Sequence, residues 1–244
     1  MSYQAVFRRH ELKYLITPAQ RDRVQAAMAL HMAPDQYGRT TIRNIYFDTP
    51  DYRLIRRSIE KPVYKEKLRM RSYRRATPHS RVFVELKKKY DHVVYKRRLP
   101  LEEENALRWL SGEAHCADRS QIAREIDYFL GFYENLRPAM FLTYEREAWF
   151  SREISDFRVT FDENALARQE NISLEGEIGG TPILPEGKIL MEIKCAGGIP
   201  LWMTEVLTRE RIFRTSFSKY GTAYQKMILK GDPIHARYHF PGAV

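Results

Sequence analysis

Apolar and polar residues alternate at period two through much of this chain. The segments Phe7–Ile16, Thr41–Asp48, Val63–Tyr73, Arg81–Tyr90, His92–Leu99, Ala139–Phe150, Asp156–Asn164 and Lys188–Cys195 are rich in Val, Ile, Tyr, Phe and Thr, which predicts eight strands. Between them the spacing turns helical. Thr17 is placed to cap a helix that opens at Pro18 and runs to about Leu30. Pro50–Ser58 is a short helical stretch, and Leu101–Leu110 and Arg119–Tyr133 are amphipathic. Pro200 opens a helix to Arg209, and Ser216 or Ser218 caps a last one through Leu229. Links such as Tyr73–Arg81 and Tyr90–Val93 are too short for parallel crossovers, so neighbouring strands run antiparallel. The Gly- and Pro-rich stretch Ala165–Gly187 predicts a mobile loop, and the tail after Gly231 is expected to be poorly structured. Residues 1–244 read as one domain with its core over about 5–230.

Successive side chains of a strand point to opposite faces. In Val63–Tyr73 one face carries Lys65, Lys67, Arg69 and Arg71 with no acid among them, and the other carries Tyr64, Glu66, Leu68, Met70 and Ser72. Three E-x-K patterns, at Glu11–Lys13, Glu85–Lys87 and Glu192–Lys194, each put a glutamate and a lysine on one face of an apolar strand. Lys96 shares its face with Val94 and Arg98, Arg146 with Leu142, Tyr144 and Ala148, and Arg158 with Thr160 and Asp162. An ordinary amphipathic strand turns such a face to water. Here, however, at least five helices need an apolar surface to cover. If they cover the apolar strand faces from outside, the charged faces turn inward. The expected fold is α+β: a closed eight-stranded antiparallel β-barrel with helices packed around the outside and a basic interior. Such an interior repels itself unless an anion, with water and metal, fills it.

Composition adds direction but not identity. There are 41 Lys and Arg against 31 Asp and Glu, a formal net charge of +10, which favours a polyanionic partner: nucleic acid, anionic membrane or phosphate compounds. The two cysteines, Cys116 and Cys195, lack metal or redox spacing, which argues against a disulfide framework and a structural zinc site. No run approaches the roughly 18 apolar residues of a membrane span. The opening MSYQAVFRRHELKY has no apolar signal core, so a cytoplasmic protein is expected.

The segments RRHELKYLI, IRNIYFDTPD, YKEKLRMRSY, VFVELKKKYD, TYEREAWF, DFRVTFDENA, ILMEIKC and TSFSKYGTAY occur in the order of, and together resemble, the VTC domain. That domain is the catalytic part of the polyphosphate polymerase of the vacuolar transporter chaperone complex, with stand-alone bacterial relatives. Its superfamily is the triphosphate tunnel metalloenzymes, which includes CYTH-type cyclases and phosphatases. The resemblance spans roughly residues 5–230. It implies an eight-stranded tunnel that binds triphosphate, with ATP and inorganic polyphosphate as partners and Mn²⁺ or Mg²⁺ as cofactor. Position by position, it implies phosphate contacts from Lys13, Arg69, Arg71, Lys87, Lys96, Tyr144, Arg146, Arg158, Lys194, Ser218 and Lys219. Of these, Arg69, Arg71, Lys194 and Lys219 are the expected catalytic residues. Glu192 matches the family's metal ligand, and Glu11 and Glu85 are further candidates. Other tunnel enzymes often open with ExExK, whereas Arg9 stands here at the first glutamate position, which favours the polymerase branch.

Three other readings stay open: a tripolyphosphatase or nucleoside triphosphatase on the same fold, a non-catalytic polyphosphate or nucleotide sensor, and a nucleic-acid binder with outward basic and aromatic side chains. His10, His115, Cys195 and Lys88 read as packing, loop or surface residues. Arg8–Arg9 and Arg97–Arg98 read as surface or mouth charges, and Trp109, Trp149 and Trp202 as core.

Overall fold

The structure is a computed structural model that describes residues 6–7, 10–91, 93–154 and 156–229. Arg8, Arg9, His92 and the expected loose tail after Gly231 lie outside the described residues. The strands are β1 (Val6–Phe7), β2 (His10–Ile16), β3 (Met32–Pro34), β4 (Thr40–Asp48), β5 (Tyr64–Ser72), β6 (Arg81–Tyr90), β7 (Val93–Glu102), β8 (Arg137–Ser151), β9 (Arg158–Arg168), β10 (Thr181–Pro182), β11 (Ile189–Cys195) and β12 (Arg214–Thr215). The helices are α1 (Pro18–Met28), α2 (Arg53–Ile59), α3 (Glu103–Leu110), α4 (Gln121–Phe132), α5 (Leu201–Arg209) and α6 (Lys219–Tyr224), the last running into a π-turn at Gln225–Leu229. No helix among the described residues is long and apolar enough to cross a membrane.

The fold is α+β and its sheet is antiparallel, as expected. Eight strands are seven residues or longer, and they match the eight predicted segments. The four short strands carry no alternation long enough to read. The order is β1-β7-β6-β5-β4-β8-β9-β11-β2-β12, with β10 on β9 and β3 on β8. The closed ring needs correcting. Among the described residues the ladder does not join end to end: Val6–Phe7 pairs with β7 and His10–Ile16 pairs with β11, and Arg8 and Arg9 between them lie outside the described residues.

Capping chemistry sets the helix starts. Thr17 and Gln20 form a capping box with Pro18 in the first turn of α1. Ser120 accepts the N–H of Ala123 to open α4. Helix α2 begins later than Pro50 because Tyr52 is left-handed, with φ 59°. Its free N–H groups at Leu54 and Ile55 are taken by the buried carboxylate of Asp48.

Helices do cover the outside of the sheet. Leu68, Met70, Val82, Val84 and Leu86 of β5 and β6 pack against Trp109 of α3 and Ile126 and Phe129 of α4. Val159, Phe161, Met191 and Ile193 of β9 and β11 pack against Val24 and Met28 of α1 and Met203 of α5. Each such side chain contributes roughly 1.5–3 kcal/mol on burial. A third cluster was not expected. Inward residues Ile42 and Tyr46 of β4, Met140, Leu142 and Tyr144 of β8 and Leu190 of β11 pack on Tyr220, Ala223 and Tyr224 of α6. One side of the interior is therefore apolar and filled by the last helix, and only the rest is basic.

The stretch Ala165–Gly187 is not a free loop. β9 extends through Arg168, and Thr181–Pro182 pairs back on it. Leu174 is buried, and the carbonyls of Leu174, Glu175 and Glu177 accept from Arg43, Arg75 and Arg168. Arginine side chains from three strands and loops replace the missing backbone ladder.

Candidate functional site

Register turns the alternating strands into rungs. Lys67 of β5 stands opposite Lys87 of β6, which stands opposite Lys96 of β7. The next rung is Arg69–Glu85–Arg98, and Arg71 follows. Like charges directly opposite one another destabilise a sheet, and the Lys67–Lys87–Lys96 rung contains no acid. Across the interior, Glu192 of β11 lies between Thr160 of β9 and Lys13 of β2, and Lys194 lies between Arg158 and Glu11. Arg146 of β8 faces Asp162 of β9. Tyr144, opposite Ile42 of β4, shares the inward face of Arg146, and β9 carries an extra residue opposite this point, with Asn164 left-handed at φ 49°.

Tyr144 and these charged residues, apart from Asp162, line one cavity of about 360 Å³, and Asp162 and Thr160 are fully buried. Eleven lysines and arginines face it, against three glutamates. All fourteen site residues proposed from sequence are among its lining: Lys13, Arg69, Arg71, Lys87, Lys96, Tyr144, Arg146, Arg158, Lys194, Ser218 and Lys219, together with Glu11, Glu85 and Glu192. A wider space of about 970 Å³ adjoins it, shares Tyr73, Arg98, Arg146 and Arg158 with it, and is lined also by Arg39, Arg43, Arg74, Arg75 and Arg81.

The carboxylates divide into two groups. Glu85, 1% exposed, pairs with Arg69 at 2.6 Å, Lys96 at 2.7 Å, Arg98 at 3.6 Å and Arg71 at 3.8 Å. Arg71 is fixed in turn by the Asn44 side-chain carbonyl at 2.9 Å and the Tyr144 hydroxyl at 3.1 Å. Glu192 pairs with Arg146 and Lys219 at 3.3 Å, Lys194 at 3.4 Å and Lys13 at 3.8 Å. Glu11 pairs with Lys13 at 3.2 Å and Lys87 at 3.6 Å. Asp162, wholly buried behind Glu192, takes both arms of the Arg146 fork at 2.6 Å and a bond from Lys219. Burial pushes all four carboxyls up, but the surrounding cations outweigh it and hold Glu11, Glu85, Asp162 and Glu192 below the ordinary carboxylate range.

Among the described residues, no group of three or more acidic, histidine or cysteine side chains forms a ready ion cage. Glu192 and Asp162, held together by Arg146 and Lys219, are oxygen donors of the kind Mg²⁺ and Mn²⁺ take. Thr160 stands directly opposite Glu192, fully buried, and its hydroxyl has no hydrogen-bond partner. The ion pairs of Glu85 run instead to β5 and β7, away from this set.

The site chosen from sequence omits five participants. Parity already puts Lys67, Arg98 and Asp162 on the charged faces, and the structure brings Lys67 and Arg98 into the lining and Asp162 against Arg146 and Lys219 behind it. Tyr46, whose hydroxyl accepts from Arg69 at 3.1 Å, and Tyr220, stacked on Tyr46 at 4.5 Å, gave no signal. Of the bland readings, Trp109, Cys116 and Cys195 are buried, while Trp149 and Trp202 are half-buried at the edge of the α1–α5 layer.

The model of the VTC domain family matches residues 8–228. Among curated proteins, none matches the chain in sequence. Solved structures share the fold. A proposed adenylate cyclase from Bacillus halodurans is 14% identical with a TM-score of 0.57, over 92% of this chain and 100% of that one. Another, from Vibrio parahaemolyticus, is 10% identical with a TM-score of 0.51, over 90% and 99%. At such identities the likeness speaks for the fold.

Proposed function

The chain belongs to the VTC domain family, and from that premise we propose that it is a polyphosphate polymerase, transferring the γ-phosphoryl group of ATP to a growing inorganic polyphosphate chain inside the basic cavity. The observation that carries this reading is the inward rung of Lys67, Lys87 and Lys96 with no acid in it, beside seven more cations and Arg98 on the same lining. Glu85 and Glu11 offset Lys96 and Lys87 only in part, and a polyanion relieves the charge that remains. Arg69, Arg71, Arg146 and Arg158 offer planar forks to phosphate oxygens, and the lysines offer point charges. Phosphoryl transfer needs positioning and charge neutralisation more than covalent chemistry. In this reading Arg69, Arg71, Lys194 and Lys219 neutralise the transferring group, while Lys13, Lys87, Lys96, Tyr144, Arg146, Arg158 and Ser218 hold the flanking phosphates. Glu192 would be among the ligands of a bound Mn²⁺ or Mg²⁺, which would supply charge neutralisation and Lewis-acid polarisation for the transferring group.

The state of the carboxylates favours transfer to phosphate over hydrolysis. Attack by water is helped by a general base, and an efficient base has a pKa near the working pH. The interior carboxylates are held well below that by their cations. A terminal phosphate is already ionised and needs no base. A cytoplasmic location, where ATP is supplied, is part of the same reading.

Purified protein given ATP and Mn²⁺ is expected to form long, acid-insoluble polyphosphate. Release of orthophosphate alone would replace the polymerase by a triphosphatase, and tight binding with no turnover would leave a sensor.

Binding should also draw in a proton. Burial, reinforced by Lys87, Lys13, Lys65 and Arg69, pushes Lys67 down to about 7. A phosphate chain favours the ammonium and raises that value again. Below about 7 Lys67 is already charged and binding takes up no proton there; above it, binding charges the lysine, so affinity declines as pH rises through this point. Titration calorimetry with inorganic triphosphate at roughly one pH unit above this value, in two buffers of different ionisation heat, should show proton uptake that shrinks in Lys67→Met. Equal uptake in both proteins would remove Lys67 as its source.

A further inference from the structure

Asp162 and Glu192, diagonal neighbours on β9 and β11, share the same two cations. The Lys219 ammonium donates to Asp162 Oδ2 and, at 3.3 Å, to Glu192 Oε1. Arg146 forks onto Asp162 and reaches Glu192 Oε2 at 3.3 Å. Lys219 also lies 4.5 Å from the centre of the Tyr144 ring, so its charge is held on several sides. Burial pushes this lysine down, but Asp162 and Glu192 outweigh it and keep it above the ordinary lysine value. Its ammonium therefore binds the two oxygen ligands that best fit a divalent ion, beside the unpartnered hydroxyl of Thr160.

An ammonium and a dication cannot both take these oxygens. Their repulsion at a few ångströms is poorly screened in a buried setting. Lys13, Arg146 and Lys194 crowd the same glutamate, so an ion arriving alone meets four cations around Glu192. A phosphate chain reverses the balance. It offers Lys219 new oxygens, cancels the neighbouring charge and brings ligands of its own to the ion. Lys219 is well placed to make that exchange, since it is the first residue of α6. Ser218, just before it, caps that helix and accepts from Lys67 at 3.1 Å, tying the helix start to the acid-free rung.

We propose that Lys219 is a resident cation that closes the position between Asp162 and Glu192 in the free protein, so that a divalent ion enters only with a phosphate chain and Asp162 then serves beside Glu192 as a second carboxylate ligand. This rests on the phosphate-binding reading above, and the experiment separates the two. Mn²⁺ binding is measured by the loss of the free-ion paramagnetic resonance signal, with no phosphate present. The wild-type protein is expected to leave the signal unchanged into the millimolar range. Lys219→Met should bind Mn²⁺ at least about tenfold more tightly, and adding Asp162→Asn should cancel that gain. Thermal melts monitor folding, and Lys219→Gln stands in should the methionine variant not fold. Tight Mn²⁺ binding by the wild type alone, or no gain in a folded Lys219 variant, overturns the resident-cation inference. Calorimetry with inorganic triphosphate and no metal tests the underlying reading, because failure of the wild type to bind it overturns both.

Discussion

Arg69→Ala is expected to lower the rate of phosphoryl transfer from ATP by about three orders of magnitude. The guanidinium of Arg69 sits on the central rung of the polar wall, anchored through Nε to Glu85 at 2.7 Å and through Nη1 to the Tyr46 hydroxyl at 3.1 Å. Its orientation is thus set before any ligand arrives, which is the condition under which a charge contributes most to a transition state. The fold should survive the change, because Glu85 keeps Lys96 at 2.7 Å, with Arg98 and Arg71 beyond it. Initial rates of polyphosphate formation, with far-ultraviolet circular dichroism as the control, check this. A folded variant within tenfold of wild type would show that Arg69 does not act on the transferring group.

Glu85→Gln should act mainly on stability. The carboxylate is 1% exposed and neutralises Arg69, Arg71, Lys96 and Arg98, all close by. Removing one side of a buried charge pair costs about 3–5 kcal/mol, and Arg71 stays buried and uncompensated while Arg69 and Arg98 keep only partial access to water. For a chain of this size that corresponds to a fall in Tm on the order of 10 °C. Inorganic triphosphate should restore more Tm in the variant than it adds to the wild type, since an anion in the cavity takes over the lost role. Equal shifts in the two proteins would mean that the ligand does not reach this rung. The pH dependence has a definite sign. Glu85 is held below its ordinary value of 4.5, so its stabilisation is present above about 4.5 and is lost as pH falls towards the lowered value.

Much of the fold was legible because period two is a local property. The Lys65–Arg71 row and the three E-x-K pairs announce two-faced strands, and the surplus of amphipathic helices decides which face is outside. What stayed hidden depends on register, which no single strand encodes. Nothing local says that Lys67, Lys87 and Lys96 share a rung while Glu85 falls between two arginines. The junction of Lys219 with Asp162 joins residues 57 positions apart in the chain. The apolar side of the interior was hidden for a related reason, since Met140 and Leu142 look the same whether they face a helix outside the sheet or α6 inside it. The Ala165–Gly187 stretch misled because its ordering comes from distant arginine side chains and not from its own glycines and prolines.

The pairing of the first stretch of chain has a mechanical consequence. Val6–Phe7 and His10–Ile16 are near neighbours in sequence, yet they sit towards opposite ends of the sheet order. Val6 and Phe7 pair with Tyr95 and Val94 of β7, and His10–Ile16 pairs with β11. In engineering terms this length of chain is a clasp, fastened to one edge of the wall at its start and to the other edge further along. A link of three residues reaches about 10 Å at most, so the backbone itself limits how far the two edges can part.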